Sequence, residues 1–199
     1  MVTETARPTF NLGEKQRELY WDGRRFVVYI GGRSTGKTTA AIMRIKGMID
    51  RGELRPGSRI LVIGPDYTQA MDGTLKSFDY WFDLFGMITR KVNGGKPMRE
   101  LIGSIEVLFR SAMNLDQTRS KECQVVWLDE AAQMDEGIFA LTNANVRGTG
   151  FRDDSTVYQT IITTTPRGKN WLWKRFVNLE TRFNDDQLGY YHMTTEEAE

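Results

Sequence analysis

Residues Gly31 to Thr38 spell Gly-Gly-Arg-Ser-Thr-Gly-Lys-Thr, a complete match to G-x-x-x-x-G-K-[ST]. The apolar stretch Phe26 to Ile30 leads into it. The segment from Lys37 to about Ile49 follows, with Ile42, Ile45 and Ile49 at helical spacing. A strand, a glycine-rich turn and a helix in this order build a phosphate-binding loop. Gly31, Gly32 and Gly36 allow backbone angles that turn successive N–H groups inward through Arg33, Ser34 and Thr35. The helix N-terminus adds partial positive charge. Lys37 can reach β- and γ-phosphates, the Thr38 hydroxyl can ligate Mg²⁺, and Thr39 completes the nucleotide-binding set. The motif implies a bound nucleoside triphosphate.

Elsewhere, short apolar strands alternate with amphipathic helices: Arg59 to Ile63, Ile105 to Arg110, Gln124 to Leu128, Thr156 to Thr163 and Gly189 to His192. This pattern predicts an α/β fold with a largely parallel central sheet flanked by helices. Leu75, Phe78, Phe82 and Phe85 form one apolar stripe, and Leu172, Phe176 and Leu179 another; both are expected in the core. Turn dipeptides Asn93-Gly94 and Gly103-Ser104 within Thr89 to Arg110 predict an antiparallel hairpin or meander appended to the sheet. Asn143 to Asp154 is expected to be a surface loop. At 199 residues and 40% hydrophobic, the chain is expected to be a single domain, 1–199.

Composition excludes several chemistries. One cysteine, Cys123, and one histidine, His192, leave no disulfide framework, thiolate zinc site or histidine-based triad. With 27 Lys plus Arg against 26 Asp plus Glu, no polybasic tail is expected. No apolar run is long enough for a membrane span, and Met1 to Pro8 carry no signal-peptide core. Catalysis must come from carboxylates, hydroxyls, Lys, Arg and backbone amides.

The apolar strand Val125-Val126-Trp127-Leu128 ends in Asp129-Glu130, 92 residues after Lys37. Beside a phosphate loop, a carboxylate at a neighbouring strand end holds the Mg²⁺ shell, a role that suits Asp129. Glu130 then accepts a hydrogen bond from the attacking water and orients it, which favours hydrolysis over passive nucleotide storage. No Asn-Lys-x-Asp guanine reader occurs. Gln16, 15 residues before Gly31, carries an amide that can donate and accept at an adenine edge; a solvated helix position is the other reading. ATP is the expected nucleotide.

In this order the motifs resemble the ATPase domain of the large terminase subunit, the DNA-packaging motor of tailed bacteriophages and related viruses. Gln16 is similar to the family's adenine-reading glutamine, and Gly31 to Thr38 to its arginine-bearing phosphate loop. Ile63 to Ala70 looks like its strand-Pro-x-Tyr-x-Gln-Ala segment, Gly103 to Ala112 like its hairpin, and Leu128-Asp129-Glu130-Ala131-Ala132 like its Asp-Glu-Ala-Ala signature. Thr163-Thr164-Thr165-Pro166-Arg167-Gly168 is similar to its coupling motif.

The resemblance implies an ASCE-type P-loop NTPase with ATP and Mg²⁺ as cofactors, powering translocation of double-stranded viral DNA into a procapsid. It implies that Arg119 is an arginine finger acting in trans, with Arg33 as a competing cis charge sensor, and that Thr163, Thr164 and Thr165 couple γ-phosphate state to motion. Implied partners are DNA, contacted through its backbone, the portal protein, the small terminase subunit and further copies in a ring, all in the infected host cytoplasm. Lys91, Lys96, Arg99, Lys169, Lys174 and Arg175 are basic candidates for DNA contact. The family's C-terminal nuclease has no counterpart in 199 residues, so no DNA cleavage is expected. The rival readings are a helicase or repair ATPase, which would need a second RecA-like domain, and an ATP-gated assembly module.

Overall fold

The computed structural model describes residues 12–114, 122–147, 157–184 and 186–194. Its strands are β1 (Phe26–Gly31), β2 (Arg59–Gly64), β3 (Ile88–Val92), β4 (Met98–Leu101), β5 (Ile105–Ser111), β6 (Val125–Asp129), β7 (Gln159–Thr164) and β8 (Leu188–Met193). They form one eight-stranded sheet in the order β3-β4-β5-β2-β6-β7-β1-β8. The span from β5 to β8 is parallel, whereas β3, β4 and β5 form an antiparallel meander at one edge. The helices are α1 (Glu14–Trp21), α2 (Lys37–Asp50), α3 (Lys76–Leu84) and α4 (Glu136–Asn145).

Strands buried on both faces need apolar side chains at every position, which explains why β1 and β6 are continuous hydrophobic runs. Successive residues alternate between faces. Val28, Ile30, Leu61, Ile63, Val126 and Leu128 pack under α4 and the segment 172–176. Ile60, Val62, Val125 and Trp127 meet Ile42, Ile45, Phe78 and Phe82 from α2 and α3 on the other face. The positive-φ residues Gly94, Gly103 and Ser104 turn the meander as the turn dipeptides predict.

Several boundaries differ from the sequence expectation. The segment after β2 is not one α-helix, because Gln69–Leu75 forms wide π-helical turns that run directly into α3. A second π-helical segment, Trp173–Val177, buries Leu172 and Phe176 but ends before Leu179, which is 79% exposed and lies outside the core. The expected loop from Asn143 begins inside α4. Asp135 caps that helix by accepting from the Gly137 N–H at 2.7 Å, and Val146 beyond it is buried against Cys123. β7 begins at Gln159 rather than near Thr156, which lies outside the described residues.

Candidate nucleotide-hydrolysis site

The carboxyl ends of β1, β6 and β7 lie side by side, pairing Ile30 with Thr164 and Asp129 with Thr163. In open parallel sheets this edge is where ligands bind. The phosphate loop leaves β1 at Gly31. A Cβ there would lie 2.4 Å from Thr35 Oγ1 and 3.1 Å from Met193 O, so only glycine lets the loop fold back. Ser34 and Gly36 both adopt positive φ, and α2 starts at Lys37 with no side-chain cap, leaving its first N–H groups available to an anion. Lys37 is buried along its length, and its Nζ donates to Gly32 O at 2.7 Å. Thr35 Oγ1 also donates to Gly32 O, at 3.0 Å. Arg33 stands exposed on the loop, and Thr38 and Thr39 are half-buried at the helix start.

Gln16 on α1 reaches this loop from the side. Its Nε2 lies 3.5 Å from Gly36 O, and its Oε1 accepts from the Gly13 N–H at 3.1 Å. A Cβ on Gly36 would meet Gln16 Nε2 at 2.3 Å, so the glycine also admits the amide.

Asp129 and Glu130 diverge at the end of β6. Asp129 is buried, and hydroxyls occupy both of its oxygens. Thr163 Oγ1 donates to Oδ1 at 2.7 Å and Thr74 Oγ1 to Oδ2 at 2.6 Å. Burial pushes this carboxyl above the usual carboxylate range, while the two hydroxyls and the nearby Lys37 act in the opposite direction. Glu130 adopts φ 53°, a left-handed conformation that costs a non-glycine residue of order 1–3 kcal/mol and concentrates at functional sites. That turn directs its carboxylate to Lys37 Nζ at 3.8 Å and to Thr165, whose N–H and Oγ1 each donate at 3.2 Å.

The three threonines at the end of β7 therefore differ. Thr163 accepts from Trp127 Nε1 at 2.7 Å and serves Asp129. Thr164, also buried, accepts from the Ala132 N–H at 3.0 Å. Thr165 is half-buried and holds Glu130.

Thr38, Thr74, Asp129 and Glu130 line one open cleft of about 430 Å³ with Pro65, Thr68, Gln69 and Asp72. A hydroxyl and a buried carboxylate on one wall are hard oxygen donors of the kind Mg²⁺ takes alongside substrate phosphates. Arg119, Asp153 and Asp154 lie outside the described residues.

Sequence reasoning missed Thr74 and Trp127. Thr74 sits 55 residues from Asp129 with no motif around it. Trp127 looks like an ordinary core residue until its indole N–H is traced to Thr163. Among the basic candidates, Arg99 is withdrawn from any surface role. It is 2% exposed and donates to both Asp79 oxygens at 2.6 and 2.7 Å. Lys91 pairs with Asp83, and Arg175 with Glu136 at 2.8 Å. Lys96, Lys169 and Lys174 remain exposed.

Known structures share the fold. The Thermus phage P74-26 large terminase ATPase domain superposes with a TM-score of 0.63 at 19% identity, covering 92% of this chain and 81% of that one. The full large terminase of another thermophilic bacteriophage gives 0.72 at 13% identity, over 95% of this chain and 47% of its own. The bacteriophage HK97 large terminase gives 0.64 at 16% identity, over 92% and 39%. The chain thus spans under half the length of these last two proteins. No curated protein sequence matches it. The family model for the large terminase subunit of T4-like-virus type, N-terminal region, matches residues 28–199. The chain belongs to that terminase family.

Proposed function

We propose that this chain is the ATPase of a DNA-packaging motor, hydrolysing ATP with Mg²⁺ to drive double-stranded DNA into a procapsid. The observation that carries the reading is the convergence of Lys37, Asp129, Glu130 and Thr165 at adjacent strand ends, beside a cleft that Thr38 also lines. Complexes of the large terminase from a thermophilic bacteriophage with ADP and with ATP-γ-S support an adenine nucleotide as ligand.

Each residue has a chemical task. The loop amides and Lys37 bind and orient phosphates, and the exchange of Gly32 O for a phosphate oxygen redirects the ammonium toward the ligand. Thr38 and Asp129 would hold Mg²⁺, which supplies charge neutralisation at the β- and γ-oxygens. Glu130 orients the attacking water and takes its proton. Because Thr165 tethers Glu130 through both its N–H and its hydroxyl, movement of that carboxylate toward the water moves the end of β7, a direct link from chemistry to the backbone. Gln16 reads the adenine edge.

The single domain 1–199 acts in a ring of identical copies, with Arg119 or Arg33 as the charge-neutralising arginine. It takes the portal protein and the small terminase subunit as partners in the host cytoplasm. DNA is contacted through phosphates, because a packaging motor must ignore sequence. DNA cleavage is not assigned to this chain.

The test is the Mg²⁺-ATPase rate per subunit against protein concentration, with Glu130→Gln and Arg119→Ala in parallel. The expected result is a rate that climbs with concentration. It is lost in Glu130→Gln, which still binds ATP, and stays flat in Arg119→Ala. Full activity of Glu130→Gln overturns the assignment of the base. A concentration-independent rate unaffected by Arg119→Ala overturns the shared site and leaves a monomeric ATPase with Arg33 as its sensor.

A further inference from the structure

The strongest unassigned feature is the hydroxyl on the free side of Asp129. Thr74 is 4% exposed, lies on the π-helical turns after β2, and donates to Asp129 Oδ2 at 2.6 Å. A threonine inside a helix ordinarily returns its hydroxyl to a carbonyl one turn back. Thr142 in α4 does so, donating to Ile138 O at 2.8 Å. Thr74 instead spans the gap to another element. Two features of the backbone deliver it there. Ala70 is pressed onto the end of β2 so closely that a Cβ on Gly64 would lie 2.7 Å from the Ala70 Cβ, which anchors the start of the helix. The wide turns of Gln69–Leu75 then shift the register relative to an α-helix and bring Thr74 over β6. π-helical turns within helices concentrate at functional sites.

We propose that Thr74 is a positioning residue for the metal-holding carboxylate. Together with Thr163 it clamps Asp129 from opposite sides and sets the direction in which the carboxylate faces the cleft. The proposal rests on the reading of Asp129 as a Mg²⁺-holding group. An ionised carboxylate has about four lone-pair positions. Two hydroxyls take one at each oxygen, leaving the others to metal-bound water or to the metal. With only Thr163 in place, the carboxylate can rotate about its last torsion and its free oxygen loses a directed partner. Outer-shell partners of metal ligands typically change metal affinity about 10- to 100-fold when removed.

The experiment measures binding of a fluorescent ADP analogue to the purified chain in EDTA and across a MgCl₂ titration. Wild type is compared with Thr74→Val, which keeps shape and loses the hydroxyl, and Thr74→Ser, which keeps the hydroxyl. The expected result is that Thr74→Val leaves metal-free affinity unchanged, reduces the gain conferred by Mg²⁺ about tenfold, and raises half-saturating Mg²⁺ in the ATPase assay by a similar factor. Thr74→Ser restores both. Thr74→Ala provides the same comparison if valine disturbs the packing. A wild-type Mg²⁺ gain in the hydroxyl-free variants, or a serine variant that behaves like valine, overturns the proposal. Asp129→Asn separates the two levels. If it loses the Mg²⁺ gain while Thr74→Val does not, Thr74 alone is misassigned. If neither loses it, the reading of Asp129 falls as well.

Discussion

Replacing Arg44 with methionine tests whether the nucleotide site depends on a polar network at the opposite, amino end of the sheet. Arg44 lies on α2 with no exposed surface, and its Nε donates to Gln159 Oε1 at 2.9 Å. Nη1 donates to Tyr20 O at 3.0 Å, joining α2 to the end of α1, and Arg51 Nη2 reaches the same carbonyl at 3.1 Å. Gln159 in turn donates to Asp22 O and Arg24 O at 2.8 and 2.6 Å, tying β7 to the turn before β1. Nη2 approaches Glu53 Oε2 at 3.2 Å without hydrogen-bond alignment, and both atoms are buried without a hydrogen-bond partner.

Methionine fills most of the volume, so the loss is polar. Two hydrogen bonds from a charged donor at about 1.5 kcal/mol each give about 3 kcal/mol. The Glu53 ion pair adds little, because that carboxylate is 21% exposed and can rehydrate. For a domain of this size the melting temperature falls by about 6–12 °C. Because α1 carries Gln16, the KM for ATP rises more than kcat falls. Urea unfolding followed by tryptophan fluorescence gives the first quantity and steady-state ATPase kinetics the second. A stability loss under about 1 kcal/mol, the range of a surface substitution, refutes the argument that this network anchors α1.

Two further outcomes follow from single groups. Gln16→Ala lowers ATP affinity about fivefold, the value of about one hydrogen bond, and narrows the preference for ATP over GTP in a competition binding assay; unchanged discrimination removes Gln16 from the adenine edge. Burial pushes the Cys123 thiol up to about 12, so the folded chain holds that proton more tightly than the unfolded one. This contribution to stability is fully present below the unfolded thiol's value and is lost as pH rises toward about 12. Cys123 is accordingly expected to resist Ellman's reagent at a pH of about 8 in the native state and to react once in denaturant; rapid native labelling contradicts its burial.

The phosphate loop was legible from residue types alone, because the chemistry is local. Eight consecutive residues supply the glycine conformations, the lysine and the hydroxyl, and the flanking patterns supply a strand and a helix. The Asp129-Glu130 pair was legible for a related reason, since an apolar run that ends in two carboxylates marks the exit of a buried strand. The meander announced itself through Asn93-Gly94 and Gly103-Ser104. Leu179 misled because helical spacing was extended past the end of Trp173–Val177, where π-helical turns give way to an extended Asn178. Asn143 to Asn145 misled because polar residues near a glycine resemble a loop, whereas the cap at Asp135 and the burial of Thr142 carry the helix through them.

The sequence by itself determined the fold class, the phosphate loop and the strand that carries the carboxylates, since each depends on neighbours in the chain and on periodic burial. Tertiary structure alone decided what each oxygen of the site touches. Which threonine at the end of β7 serves Asp129 and which holds Glu130 follows from strand register. That Asp129 has a second clamp at all follows from a helix 55 residues earlier whose widened turns bring Thr74 across the cleft. A hydrogen bond needs its two atoms within about 3 Å, and separation along the chain carries no information at that scale once the chain is folded.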